Sequence, residues 1–216
     1  MSLTLYFHPL ASYCWKVLLA LYEAETPFTP KQVDLADAGE RAELERLWPV
    51  AKFPVLRDRA RNQVVPESTI IIEYLALHYP GKIELLPRDP DLARETRLRD
   101  RFYDLYVHEP MQRIVANRLR PPDRRDALGV EQAHATLELS YRMLEEDPRT
   151  SEWAHEGAFT LADCAAAPAL YYANKVHPFG ASRPRVARYL ERLLARASFQ
   201  RVLAEAEPYF GNFPEE

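Results

Sequence analysis

The segment Ala51-Lys52-Phe53-Pro54-Val55-Leu56 is followed along the chain by Glu67-Ser68-Thr69-Ile70-Ile71-Ile72-Glu73-Tyr74-Leu75. Residues 54–56 and 63–65 resemble two short strands around the polar turn 57–62, and this pattern predicts a β-hairpin. Glu67-Ser68 precedes apolar residues at helical spacing, which predicts a helix beginning at this pair. The sequence therefore predicts a β-hairpin that leads directly into a helix.

Strands and helices alternate in the residues before this hairpin. Residues 3–7 form an apolar run that ends at His8-Pro9, which predicts a buried strand followed by a loop. A first helix follows, then a second strand over residues 28–33, which Pro30 restricts to a sheet edge. A polar helix is expected over residues 39–47. The predicted order through residue 79 is β-α-β-α-β-β-α.

The chain after the predicted helix changes character. Proline-containing residues 81–90 show little periodicity, which is typical of a linker. From residue 91 onward the apolar residues recur at helical spacing. We therefore expect an α/β domain over residues 1–80, a linker over residues 81–90, and an all-helical domain over residues 91–216.

Composition excludes several classes of function. Of the 216 residues, 47% are hydrophobic and 28% charged, which is typical of a folded globular chain. The net charge of −4 offers no concentrated cationic surface for nucleic acid or anionic membrane. No apolar run reaches a membrane span, and no signal peptide is expected. Only two cysteines, Cys14 and Cys164, are present, so we expect a reducing compartment, the cytoplasm.

The sequence resembles the glutathione transferase family in two features: Pro54 before the hairpin, and the Glu67-Ser68 pair at the start of the next helix. The resemblance spans nearly the whole chain and implies a thioredoxin-like N-terminal α/β domain plus an all-α C-terminal helical bundle. It further implies that the Phe53-Pro54 peptide is cis and that the backbone of Phe53 pairs with the cysteinyl part of glutathione. By the same resemblance, Ser68 takes the γ-glutamyl carboxylate, Glu67 the α-ammonium and Lys52 the glycyl carboxylate.

The family's chemistry needs glutathione as a thiolate, and a free thiol with a pKa of about 8.5 is largely protonated at neutral pH. The first candidate for the stabilising hydrogen-bond donor is Ser12, at the start of the first helix. A helix cap is the alternative role for this serine. The family register places the catalytic position on Ala11, one residue earlier, so Cys14 and the strand residue Tyr6 stay open as alternatives.

In the helical half, Thr160 and Asp163 form a capping-box pattern before an apolar helix, and their expected role is structural. By family analogy the electrophile lies between the Ser12 loop and the helix that begins near residue 91. The candidate lining residues are Tyr103, Tyr106, Val107, Met111 and Arg113, and interdomain core is the alternative role for most of them. The six histidines show no metal-ligand spacing, so no metal is predicted.

The resemblance implies a glutathione S-transferase that activates glutathione as a thiolate for attack on a small hydrophobic electrophile, a detoxification activity. A homodimer is expected. Two alternatives remain: a glutathione-dependent isomerase or dehalogenase, and a non-catalytic adaptor that retains the fold. Fold alone does not choose among them.

Overall fold

The computed structural model describes residues 1–148, 153–154 and 157–214. Its first part contains a four-stranded sheet with the spatial order β2-β1-β3-β4. The strands are β1 (Leu3–Phe7), β2 (Thr29–Gln32), β3 (Val55–Asp58) and β4 (Gln63–Pro66). β1 pairs parallel with β2 and antiparallel with β3, and β3 pairs antiparallel with β4. The hairpin and the edge position of the Pro30 strand agree with the sequence prediction.

Three helices accompany the sheet: α1 (Ser12–Glu23), α2 (Ala38–Leu47) and α3 (Ser68–His78). The predicted order β-α-β-α-β-β-α is therefore confirmed. β2 is shorter than the predicted residues 28–33. Phe28 and Val33 lie beyond its ends, where they are partly buried and buried, and the Val33 N–H still donates to the carbonyl of Phe7 at 2.9 Å.

The described residues from position 90 onward are mostly helical. They contain α4 (Pro90–Phe102), a π-helical segment (Tyr103–His108), α5 (Glu109–Arg118), α6 (Ala127–Glu146), α7 (Leu161–Val176), α8 (Pro184–Leu194) and α9 (Ala197–Ala206). Asp89 caps α4 by accepting hydrogen bonds from the backbone N–H groups of Asp91 and Leu92. A 3-10 segment, Glu207–Asn212, follows α9.

Helix α1 packs between the sheet domain and the helical domain. Its Trp15 is fully buried, and the aromatic side chains around this ring come from the helical half: Tyr171, Tyr172, Phe199 and Phe210. The Trp15 indole N–H donates to the carbonyl of Pro9. The loop before α1 is thereby fixed to the same aromatic cluster that joins the domains.

The capping box at the start of α7 is present. Thr160 accepts a hydrogen bond from the N–H of Ala162, and the Asp163 carboxylate accepts one from the N–H of Thr160 at 2.9 Å. Asp163 also accepts from the N–H of Ala154 at 2.8 Å and from the hydroxyl of Tyr189 at 2.7 Å. These two residues lie in the core of the helical domain, where they satisfy buried polar groups.

In the part of the chain that the structure describes, no helix is both long enough and apolar enough to cross a bilayer.

Candidate functional site

A cavity of about 550 Å³ lies between the sheet domain and α4. The wall from the sheet domain includes every residue that the sequence assigned to glutathione: Lys52, Phe53, Pro54, Glu67 and Ser68. The helical side of the cavity contributes Arg97, Asp100, Arg101, Asp104 and Leu105, and α1 contributes Tyr13. The structure therefore brings the predicted binding residues together at one concave surface.

The loop before β3 forms one end of this cavity. The Phe53-Pro54 peptide bond is cis. The side chain of Phe53 is half-buried, and its ring stacks on the imidazole of His8 with ring centroids 5.9 Å apart. Lys52 is exposed beside it.

The turn into α3 forms the other end of the cavity. Glu67, at the N-cap position, has φ of 69° and ψ of 121°, a conformation that is costly for a residue with a side chain. No side chain caps this helix. The first N–H groups of α3 therefore have no side-chain cap, and the residues at this helix start, including the buried Ser68, line the cavity. A helix start of this kind favours a negatively charged group.

A charged cluster forms part of the cavity wall and connects α1, α3, α4 and the π-helical segment. The ammonium of Lys16, which is 1% exposed, lies 2.5 Å from Asp100 Oδ1 and 2.8 Å from Asp104 Oδ2, and it donates to Thr69 Oγ1 at 2.8 Å. The guanidinium of Arg101 donates to both carboxylates. Two cations thus balance two anions, which is the condition for burying such charges.

The start of α1 is tied to the helical domain through its first residue, Ser12. The Ser12 side chain is buried; Oγ accepts a hydrogen bond from Gln112 Nε2 at 2.9 Å and makes a short contact with His108 Nε2. Burial, reinforced by the nearby charge of Lys16, lowers the pKa of His108 to about 3. The imidazole is therefore neutral at neutral pH and offers one donor and one acceptor nitrogen. Ser12 does not cap α1, because Ala11 holds the N-cap position.

Ser12 faces a second, smaller cavity of about 220 Å³. The walls of this cavity are mostly apolar and come from the loop before α1, from α5, from α7 and from the C-terminal segment: Leu10, Ala11, Met111, Gln112, Val115, Tyr172, Asn212, Phe213 and Pro214. The Tyr172 hydroxyl donates to the carbonyl of Leu10 at 3.0 Å. In the same turn of α1, Ser12 lines the smaller cavity and Tyr13 lines the larger one.

The alternatives to Ser12 lie elsewhere. Cys14 is fully buried, and burial raises the pKa of its thiol far above the ordinary value. Tyr6 points to the α2 side of the sheet, where it packs with Val33 and Leu44, and burial together with Glu43 raises its phenol pKa. Neither side chain lines the two cavities described above.

The five residues proposed to line an electrophile pocket do not share one cavity, and three of them take the alternative role, that of core residues. Tyr103, Val107 and Met111 are buried in the main core, because the π-helical segment turns this face toward α7. Of the three, Met111 lines the smaller cavity. Tyr106 and Arg113 are exposed, and Tyr106 lines a separate groove between α4 and α6.

Several site residues carry little or no sequence signal. Lys16 is the exception, because its position as a lone charge within the apolar run 14–21 is a sequence pattern that predicts a buried ion pair. The contacts of His108 and Gln112 with Ser12 depend on the π-helical segment, whose wider turn has no sequence pattern that we could read.

Among the described residues, no group of three or more histidine, cysteine or acidic side chains has metal-binding geometry. His155, one of the six histidines considered in the sequence, lies outside the described residues.

Comparison with known proteins identifies the family of the chain. Residues 5–83 match the family model described as glutathione S-transferase, N-terminal domain, and residues 116–192 match the corresponding C-terminal domain model. The chain is 25% identical to glutathione S-transferase GstB of Escherichia coli strain K12 over 193 residues, which cover 87% of this chain and 91% of that protein. It is 28% identical to a probable maleylacetoacetate isomerase of Caenorhabditis elegans over 213 residues, covering 96% and 95% of the two chains.

Among solved structures, the fold is similar to a glutathione S-transferase of Methylobacillus flagellatus with glutathione bound. The TM-score is 0.83 at 25% identity, and the match covers 93% of this chain and 98% of that one.

Proposed function

Since the chain belongs to the glutathione S-transferase family, we propose that it binds glutathione in the larger cavity and transfers it, as a thiolate, to a small hydrophobic electrophile. The observation that carries this proposal is that Phe53, Ser68 and the first turn of α1 line one cavity of about 550 Å³. This volume lies within the ordinary range for small-molecule sites, about 300–1,000 Å³.

Complementary charge and backbone geometry support the proposed orientation of the tripeptide. Its γ-glutamyl carboxylate binds Ser68 and the uncapped N–H groups of α3, and its α-ammonium binds Glu67. The cysteinyl backbone pairs with Phe53, and the glycyl carboxylate faces Lys52. The sulfur then lies at the first turn of α1, between the two cavities.

Ser12 is the proposed donor to the sulfur from the side of the smaller cavity. When His108 carries its proton on Nε2, both His108 and Gln112 donate to Ser12 Oγ. The hydroxyl proton of Ser12 is then left for a third acceptor, the thiolate. A hydrogen bond to a charged group contributes about 1.5–3 kcal/mol, enough to lower a thiol pKa by about 1–2 units.

The smaller cavity is the proposed electrophile site, because it adjoins Ser12 and its walls are mostly apolar. With an aryl halide, the thiolate sulfur forms a bond to the ring carbon and the halide leaves with its bonding electron pair. The proton lost earlier by the thiol passes to solvent, so the step needs no oxidant or other co-reactant. A volume of about 220 Å³ favours a small electrophile.

A conjugation assay tests the activity. Wild-type protein with glutathione and an activated aryl halide should form the thioether, and Ser12→Ala should lower kcat/KM about tenfold or more with glutathione affinity retained. Ser182→Ala, which removes an exposed serine before α8, is the matched control. Binding of glutathione without turnover on any electrophile would support the adaptor alternative instead.

The similarity to a probable maleylacetoacetate isomerase supports a second candidate, a glutathione-dependent isomerase. The same thiolate would add to the substrate and then leave, so glutathione is regenerated. A glutathione-dependent dehalogenase belongs to the same alternative. The consumption of glutathione per turnover separates conjugation, which uses one equivalent, from isomerisation, which uses none.

The proposed assembly is a homodimer. A groove between α4 and α6 presents exposed apolar side chains in one region of the surface: Leu98, Leu105, Tyr106, Leu139 and Met143. An apolar patch of this kind typically marks a protein interface. A second copy of the chain is the occupant that the family resemblance favours, and the cytoplasm is the proposed location.

A further inference from the structure

Tyr13 is the α1 residue that reaches the larger cavity. Its neighbours in the helix turn away: Ser12 faces the smaller cavity, and Cys14 is buried in the core. A tripeptide that lies between Phe53 and Ser68 therefore meets α1 at the Tyr13 side chain. The sequence alone does not indicate this placement of Tyr13.

The ring of Tyr13 is held in a fixed position. It stacks on the imidazole of His108 with ring centroids 3.8 Å apart and an interplanar angle of 28°. His108 is itself 1% exposed and contacts Ser12. One buried imidazole therefore supports both hydroxyl-bearing side chains at the start of α1.

The hydroxyl of Tyr13 is available to a ligand. Within the described ranges we find no hydrogen-bond partner for this phenol, whereas the hydroxyls of Tyr22, Tyr74 and Tyr79 all donate to carboxylates. A partly buried phenol without a partner gains a hydrogen bond when a suitable acceptor enters the cavity.

The protonation state of Tyr13 suits a donor. Burial raises the pKa of its phenol, and the neighbouring Asp104 carboxylate raises it further. The phenol therefore keeps its proton at the pH where a thiolate forms.

We propose that Tyr13 is a second catalytic residue, whose hydroxyl donates a hydrogen bond to the glutathione sulfur from the larger cavity, opposite the donor Ser12. No covalent bond forms to Tyr13, and its proton stays on the phenol oxygen throughout. The thiol proton passes to solvent when the thiolate forms. This inference rests on the proposed function and adds a residue to it.

The test separates binding from ionisation. Calorimetric titration with S-methylglutathione, which has no ionisable thiol, reports whether the cavity binds the tripeptide. The thiolate absorbance of bound glutathione, followed against pH, reports the pKa of its sulfur. Both are measured on wild type, Tyr13→Phe, Ser12→Ala and the control Tyr22→Phe, which removes a hydroxyl at the other end of α1.

Tyr13→Phe keeps the ring and its stacking, so its affinity for S-methylglutathione should stay within about twofold of the wild-type affinity. The pKa of the bound thiol should rise by about 1–2 units, and kcat/KM near neutral pH should fall about tenfold to a hundredfold. The loss should shrink as the pH rises, because the thiol then ionises without help. Tyr22→Phe should match wild type.

If Tyr13→Phe binds S-methylglutathione and leaves the thiol pKa and the rate unchanged, Tyr13 is a wall residue and the inference is overturned, while the proposed function stands. If wild type fails to bind S-methylglutathione, the proposed function itself fails.

Discussion

The ammonium of Lys16 in α1 donates a hydrogen bond to the hydroxyl of Thr69 in α3 at 2.8 Å. Lys16 follows the turn that presents Ser12 and Tyr13, and Thr69 directly follows Ser68. The start of α1 and the start of α3, which carry the proposed sulfur and carboxylate ends of the site, are therefore joined by a partly buried polar contact. The carboxylates of Asp100 and Asp104 surround the same ammonium.

Removing Lys16 should be strongly destabilising. Lys16→Met leaves two buried carboxylates near each other with only Arg101 to balance them, and breaking a buried ion pair typically costs about 3–5 kcal/mol. Urea denaturation of wild type and variant measures this change. Lys82→Met, which breaks an exposed pair with Glu25, should cost about 1 kcal/mol or less. Equal losses in the free energy of unfolding for the two variants would show that the buried cluster contributes no more stability than an exposed ion pair.

The capping box of α7 should contribute to folding and not to catalysis. Asp163→Ala leaves the N–H groups of Thr160 and Ala154 and the hydroxyl of Tyr189 without their acceptor, and each such loss costs about 1–3 kcal/mol. A loss of about 3 kcal/mol or more in the free energy of unfolding is expected, against about 1 kcal/mol for Thr160→Ala. Chemical denaturation measures both. A rate defect in Asp163→Ala protein that is still fully folded would contradict the structural role.

His108 should make stability depend on pH. Its pKa is lowered to about 3 in the folded chain, and it is about 6.5 in an unfolded one. Between these two pH values the unfolded chain therefore binds a proton that the folded chain does not. The free energy of unfolding is highest with respect to this group above pH about 6.5, and it falls as the pH is lowered toward about 3. The slope from this one group is at most about 1.4 kcal/mol per pH unit.

The His108→Gln variant isolates that contribution, because all other titrating groups are shared with wild type. Its free energy of unfolding should fall less steeply than that of wild type between about pH 6.5 and pH 4.5. The measurement is urea denaturation at several pH values. Parallel curves for the two proteins would mean that His108 is accessible to protons in the folded state.

The groove between α4 and α6 should mediate self-association. Leu98 is 64% exposed, so Leu98→Glu should cost the isolated chain little stability but place a charge in the proposed interface. Sedimentation velocity should show a dimer for wild type and a shift toward monomer for the variant. Leu119→Glu, an equally exposed leucine outside the groove, is the control. A monomeric wild type would contradict the assembly.

Local patterns in the sequence predicted most of the fold and one half of the site. The apolar run before His8-Pro9, the hairpin after Phe53-Pro54 and the helix opening at Ser68 are all short-range features, and each is present in the structure. The residues proposed for glutathione line one cavity because they belong to two neighbouring loops of the sheet domain.

The other half of the site depends on long-range packing, which the sequence does not display. A π-helical segment shifts the register after Phe102, so it buries Tyr103 and Val107 and brings His108 to Ser12. The helical stripe through this region does not distinguish a pocket wall, which family analogy suggests, from interdomain core. The placement of Tyr13 in the larger cavity follows from the same contact with His108.

The most direct test of the account is calorimetric titration with glutathione of wild type, Ser68→Ala and the control Ser182→Ala. The account predicts that one glutathione binds per chain. Ser68→Ala should weaken binding about tenfold or more, because it removes a hydrogen bond to a charged group. Ser182→Ala should leave the affinity unchanged. Wild-type affinity in the Ser68→Ala variant, or no binding to any of the three proteins, would contradict it.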